Sequence, residues 1–363
     1  MSNSIHEHFS ADYAHARSRF RIACAQAGIA VQSWPHTMRG RQGEELAIDA
    51  AWIGPRSAKH VLLTTSGTHG VEGFYGSGCQ IGWLRDGHAR RLPAGTAMLM
   101  VHATNPYGFS WLRRVNEDNI DINRNFLEFD RRLPANPGYF EIASTLTPEH
   151  WNETVEKEVQ ERLAAWSRRV GRKAAAAAIS AGQHTHPNGL FYGGTGPSWS
   201  HRTVHQIAAH FLEQVEQLCV LDFHTGLGPP GYSEMICRHP PDSEALAKAR
   251  RWFGDAVTSP AAGESESPVI EGNLRMGFAH LLPDAEVIAA AIEVGTVGAD
   301  EVTMALIGDN WLHLHGNAAS PQAQAIKTRI RRAFYPDTDE WREACYPRAV
   351  AIQQQALAGL ASH

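Results

Sequence analysis

Short apolar runs rich in aliphatic and β-branched residues alternate along the chain with longer amphipathic stretches. HVLLTTS (60–66), AMLMVHA (97–103), QLCVLDF (217–223) and EVIAAAIEV (286–294) have the length of a strand and almost no polar interior, which predicts strands buried on both faces. ELAIDAAWI (45–53) predicts another strand. Helices are predicted over 8–27, from Gly73 to about Asp86, from Ser198 onward with that serine as N-cap, and over 300–316, 319–334 and 338–360. A turn is predicted at Asn105-Pro106-Tyr107-Gly108. Two buried strands separated by a helix predict a βαβ unit, hence a parallel sheet and an α/β fold. Residues 127–190 interrupt this rhythm with the stretch RRLPANPGYF and a charged helix over about 148–180. They predict a helical insertion within a single domain spanning 1–363, after which the strand–turn rhythm resumes at Gly189–Gly194. Polar residues collect behind the C-terminal ends of the buried strands, where open parallel sheets bind ligands.

Composition narrows the function. With 363 residues, 43% of them hydrophobic, the chain can bury a large core. Thirty-three basic against 38 acidic residues give a net charge of −5 with no block of like charge, which argues against nucleic acid as a partner while allowing a small anionic substrate. The five cysteines are scattered and never form C-x-x-C, so neither a disulfide framework nor a thiolate metal site is expected. The polar N-terminus lacks an apolar signal core, and no run of about 18 apolar residues occurs, so no membrane span and a cytoplasmic location are expected. No G-x-S-x-G elbow supports a serine hydrolase.

Four constellations carry chemistry. THGVEG places His69 and Glu72 three apart after the strand 60–66, among glycines that let the backbone bend. Imidazole and carboxylate are zinc ligands, although 20 histidines make such a pair weak on its own. LDFHTG places His224 at another strand end, with Asp222 two residues earlier, on the same face if the strand continues. Asp222 is also positioned to orient the histidine. The stretch 105–126 crowds Arg113, Arg114, Asn116, Asn119, Asp121, Asn123, Arg124 and Asn125 between apolar residues, as expected of a loop pinned to the core. Its arginines suit a carboxylate clamp or an oxyanion contact. Glu293 lies inside an apolar run, where desolvation raises a carboxyl pKa toward that of a general base, unless an arginine pairs with it. His184 and His186 in QHTHPNG precede a turn and are expected at the cleft wall rather than on a metal.

Taken together, His69-x-x-Glu72, NPYGF, Arg114 seven residues before Asp121 in DINRNF, His224 and Glu293 resemble the zinc carboxypeptidase superfamily in order and rough spacing. DFHTGLGPPG resembles a bacterial branch between the peptidases and the aspartoacylase and succinylglutamate desuccinylase deacylases. The resemblance implies a mixed, mostly parallel sheet flanked by helices in an α/β/α sandwich. It implies one Zn2+ per chain on His69, Glu72 and His224, with Glu293 as base and Arg114 as oxyanion stabiliser. Asn123 and Arg124 would hold a substrate carboxylate. The function implied is hydrolysis of the amide bond of a small peptide or N-acyl amino acid. An esterase of the same fold and a catalytically degenerate zinc- or carboxylate-binding protein remain as alternatives, and a homo-oligomer as a possible assembly. Two features depart from the pattern: NPYG stands for NPDG, and no tyrosine occupies residues 273–278. Arg113 beside Arg114 leaves the choice of oxyanion residue open.

Overall fold

The computed structural model describes residues 4–362. Eight strands form one sheet: β1 (Val31–Arg39), β2 (Glu45–Ile53), β3 (His60–Thr65), β4 (Thr96–His102), β5 (Gln217–Pro230), β6 (Ser233–Cys237), β7 (Val257–Thr258) and β8 (Glu286–Gly295). Their order is β1-β2-β4-β3-β5-β8-β6-β7. The central strands β4, β3, β5 and β8 run parallel, while β1, β2 and β6 add antiparallel edges, so the sheet is mixed and mostly parallel.

Alternate residues of the central strands feed two apolar layers. Leu62, Met98, Leu221 and Ile292 pack against α1 (Tyr13–Gln26), α2 (Gly73–Arg85), α8 (Glu244–Phe253) and α12 (Asp339–Leu360). Leu63, Leu99, Val220 and Ala289 pack against α7 (Trp199–Phe211) and α9 (Leu274–Leu281). Residues buried on both faces of a pleated strand must be apolar throughout, which is why these runs stood out in the sequence. A third apolar cluster joins α10 (Ala299–His315) and α11 (Pro321–Phe334) to α4 (Pro137–Leu146), α5 (Glu153–Val170) and α6 (Arg172–Ser180).

Several expectations shift. The charged helix over 148–180 is two helices, broken where Gly171 takes φ +91. Asn105-Pro106-Tyr107-Gly108 opens a short helix, α3 (Pro106–Trp111), with the Asn105 side chain accepting from Gly108 N and proline in the first turn. Gly189–Gly194 forms no strand; Tyr192 makes an isolated bridge to Gln183. The strand predicted to end near Phe223 continues through His224 to Pro230. Ser198 does cap α7, accepting from His201 N.

Candidate functional site

The site lies where the α7/α9 face of the sheet stops being apolar. Along β5, Leu218 and Val220 belong to that layer, so Asp222 and His224 point the same way. His224 stands opposite Glu293 of the neighbouring parallel strand, which puts both side chains on this face.

His69 arrives from the adjacent strand end. After β3 the chain turns through Gly67 at φ +67, and a 3-10 turn over Gly70–Glu72 leads into α2. Gly70 N and Val71 N donate to the carbonyls of Arg114 and Arg113, so the His-x-x-Glu turn and the arginine loop are fastened through their backbones. A Cβ on Gly70 would lie 2.0 Å from the Gly108 carbonyl carbon, so only glycine allows this approach.

His69, Glu72 and His224 converge, all buried, as a group able to hold a metal ion. His69 Nδ1 lies 2.8 Å from Glu72 Oε1, and His224 Nδ1 lies 3.0 Å from Glu72 Oε2. The two Nδ1 atoms are 3.2 Å apart. Two nitrogens bound at about 2.0–2.1 Å to one tetrahedral ion stand about 3.3 Å apart, so the donor set fits such an ion. Each imidazole has its other nitrogen against a fully buried carboxylate. His69 Nε2 is 3.1 Å from Asp121 Oδ1, and His224 Nε2 is 2.6 Å from Asp222 Oδ2. That arrangement fixes the ring and directs Nδ1 at the shared point. Asp222 is itself held by Thr65 and Thr68, whose hydroxyls donate to Oδ1.

The adjacent arginines have opposite fates. Arg113 is buried against Asp309 and Asn119, away from the cluster. Arg114 reaches into it, donating from Nε to Asp121 (3.0 Å) and from Nη1 to Glu72 (3.2 Å), with Nη2 2.8 Å from His69 Nε2. Glu293 has no ion-pair partner among the described residues; its Oε1 accepts from Leu227 N at 3.1 Å. Burial first, and the Glu72 carboxylate second, push its pKa up to about 8. The alternative of an arginine-paired structural glutamate is therefore not what the structure shows.

Asn123 and Arg124 sit on the 3-10 turn that follows Asp121. Asn123 Oδ1 accepts from Leu274 N. Arg124 does not touch the histidine cluster: Nε and Nη2 donate to Ser180 O and Nη1 to Asn123 O, leaving one N–H on each terminal nitrogen. Asn116, Asn119 and Asn125 pin the loop by bonding to backbone groups. His184 bonds Gly194 O, and His186 packs on Tyr139 and Phe140, so neither joins the metal cluster.

The sequence reading assigned no role to three site residues. Asp121 faces His69 Nε2 from 52 residues away, a pairing that no local spacing marks. Arg275 of α9 lies 3.2 Å from His224 Nε2 and 3.4 Å from Asp222, in the window where a tyrosine was sought. Phe191 has φ +54, a strained backbone for an aromatic residue, and its ring lies beneath Arg114 (4.9 Å) and Arg124 (5.7 Å). No sequence signal marks it.

A family model described as "Protein of unknown function (DUF2817)" matches residues 9–348. No curated protein matches the chain. Among solved structures, thrombin-activatable fibrinolysis inhibitor aligns with all of this chain and 77% of its own, at TM-score 0.55 and 12% identity. Carboxypeptidase A from Helicoverpa armigera aligns over 89% of this chain and 73% of its own, at TM-score 0.44 and 11% identity. An aspartoacylase family protein from Mesorhizobium loti aligns over 79% of this chain and 67% of its own, at TM-score 0.36 and 12% identity. The first alignment, over the full chain, shows a shared fold.

Proposed function

The chain belongs to the DUF2817 family, and from its site we propose that it is a zinc-dependent hydrolase cleaving the amide bond of a small, carboxylate-bearing peptide or N-acyl amino acid. The observation that carries this reading is the facing pair of Nδ1 atoms, 3.2 Å apart over Glu72, with each Nε2 against its own aspartate. A His2Glu set favours zinc, which when bound polarises a carbonyl and lowers the pKa of a coordinated water toward about 7.

The remaining roles belong to side chains. Glu293 takes a proton from the attacking water and delivers it to the leaving nitrogen, a task for a carboxyl whose pKa is raised by burial. Arg114 meets the charge developing on the carbonyl oxygen. His69 governs that arginine. With its proton on Nε2, His69 donates to Asp121 and cannot accept from Arg114, which frees Nη2 to turn toward the substrate. Arg124 and the side-chain Nδ2 of Asn123, which has no partner among the described residues, hold the substrate carboxylate. The oxyanion role is assigned to Arg114 rather than Arg113 because Arg113 is buried against Asp309, away from the cluster.

The test is elemental analysis of chain purified without chelator. About one zinc per chain is expected, lost in His69→Ala and in His224→Ala. Zinc-loaded enzyme should hydrolyse members of a panel of dipeptides and N-acyl amino acids, whereas Glu293→Gln should keep its zinc and lose at least about a hundredfold in kcat. Wild type that takes up no zinc, even when supplied, rules this reading out.

A further inference from the structure

The two arginines of the site are held in different ways. Arg114 has carboxylates at Asp121 and Glu72. Arg124 is buried and has no carboxylate partner among the described residues. A buried guanidinium without an ion pair is costly unless neutral groups compensate it.

Those neutral groups come mainly from one stretch of chain, the end of the helical insertion. Ser180 O, at the C-terminal end of α6, accepts from Arg124 Nε (3.2 Å) and Nη2 (2.5 Å). A helix C-terminus carries the negative end of the helix dipole. The Arg124 stem passes Gly182 so closely that a Cβ there would lie 2.7 Å from Arg124 Cδ. The Phe191 ring lies beneath Arg124 at 5.7 Å and beneath Arg114 at 4.9 Å, so one ring carries both cations. A φ of +54 is unfavourable for a bulky side chain and persists only where neighbours over-determine it. Here they do. Gln183 donates from N to Phe191 O and from Nε2 to Leu190 O, and Asp121 N of the arginine loop donates to Tyr192 O. A ring face and a carbonyl hold a guanidinium without cancelling its charge, whereas a carboxylate in their place would pair with it. Burial pulls the pKa of Arg124 down to about 10, which leaves it charged at neutral pH.

We propose that Phe191 is a positioning residue, whose ring holds Arg114 and Arg124 by cation–π contact and fixes the spacing between the oxyanion contact and the carboxylate contact. The helical insertion thereby takes part in the reaction without touching the substrate. The tasks of the two arginines rest on the hydrolase reading above; the hold of the ring on them does not.

The test separates the electrostatics of the ring from its bulk. Trifluorophenylalanine in place of Phe191 keeps the shape and drains negative charge from the ring face, while Phe191→Leu removes the ring. The first readout needs no turnover: NMR of the arginine Nε–H signals in full-length, substrate-free chain, assigned by their loss in Arg114→Lys and Arg124→Lys. In Phe191→Leu both signals should lose their ring-current shift and exchange with water about tenfold faster, and in the trifluoro variant exchange should rise about threefold, the range of a cation–π contact. An unchanged circular dichroism spectrum shows that both variants fold. The second readout is acetate release from N-acetyl-L-alanine and N-acetyl-L-alaninamide by zinc-loaded enzyme. The trifluoro variant should lower kcat on both probes, through Arg114, and raise KM about threefold on the carboxylate probe alone, through Arg124. Arginine signals unmoved in both variants overturn the proposal. Signals that change in Phe191→Leu but not in the trifluoro variant reduce the ring to packing and overturn it too. If wild type hydrolyses neither these probes nor any other member of the panel while the arginine signals respond as expected, the hydrolase reading has failed and the hold on the arginines stands.

Discussion

Glu293 shows how burial sets the chemistry of a single group. It lies on an apolar strand with only the Leu227 amide for company, and burial and then Glu72 push its pKa up to about 8 from an ordinary 4.5. A base must be deprotonated to act, so kcat/KM should rise with pH through this pKa and fall below it. A cation bound to Glu72 offsets the second cause, which places the acid limb between 4.5 and about 8. A pH profile of kcat/KM that stays flat across that window would remove Glu293 from the role of base. The residue types of the buried cluster were legible in the sequence at this scale, because imidazole and carboxylate near strand ends announce themselves. The pairing of neighbours was not. Arg113 and Arg114 are equivalent as letters, and only the positions of Asp309 and Asp121 send one into the core and the other to the site.

Elements position these groups through close backbone contacts. The turn after β3 and the start of α3 meet at Gly70 and Gly108, where a methyl group on Gly70 would also come within 2.2 Å of Phe109 N. Because the obstructing atoms are backbone, no rotamer change relieves the clash. Gly70→Ala should lower stability by about 3 kcal/mol and weaken metal binding with it. Gly28→Ala is the control, with φ +73 but open space around it, and should cost about 1 kcal/mol from backbone strain alone. Urea unfolding of both variants checks the contrast; equal losses would mean that the approach at Gly70 is not tight. The central strands and the long C-terminal helices could be read from periodicity because their burial is uniform. β1 escaped notice because it is an edge strand with six of its nine residues exposed and Pro35 inside it. β6, β7 and α9 are short, and β6 carries Glu234 within it, so neither length nor pattern separates them from loops, whereas α8, with its Ser243 cap and one apolar face, carried a legible helical pattern.

At the scale of the molecule, one buried ion network ties the arginine loop to the C-terminal helices. Arg113 and Lys327 both bond Asp309, reaching it from the loop and from α11 respectively. Asp309→Ala leaves two buried cations without their anion and should cost about 3–5 kcal/mol, read as a lowered urea midpoint. A cost under about 1 kcal/mol would show the network to be solvated, as exposed pairs are. Segment 127–190 also reaches the site at a distance, since Ser180 O accepts from Arg124.

By itself the sequence determined the central strands, the class of fold, and the histidines and carboxylates at the strand ends, because strand burial and ligand chemistry are properties of local residue type. The tertiary structure decided which residues share a point. It sent Arg114 rather than Arg113 to the cluster, gave His69 its aspartate, and placed Arg275 beside His224 and Phe191 beneath Arg114. Those outcomes depend on contacts between segments that lie tens to hundreds of residues apart, and such contacts leave no periodicity and no motif in the chain.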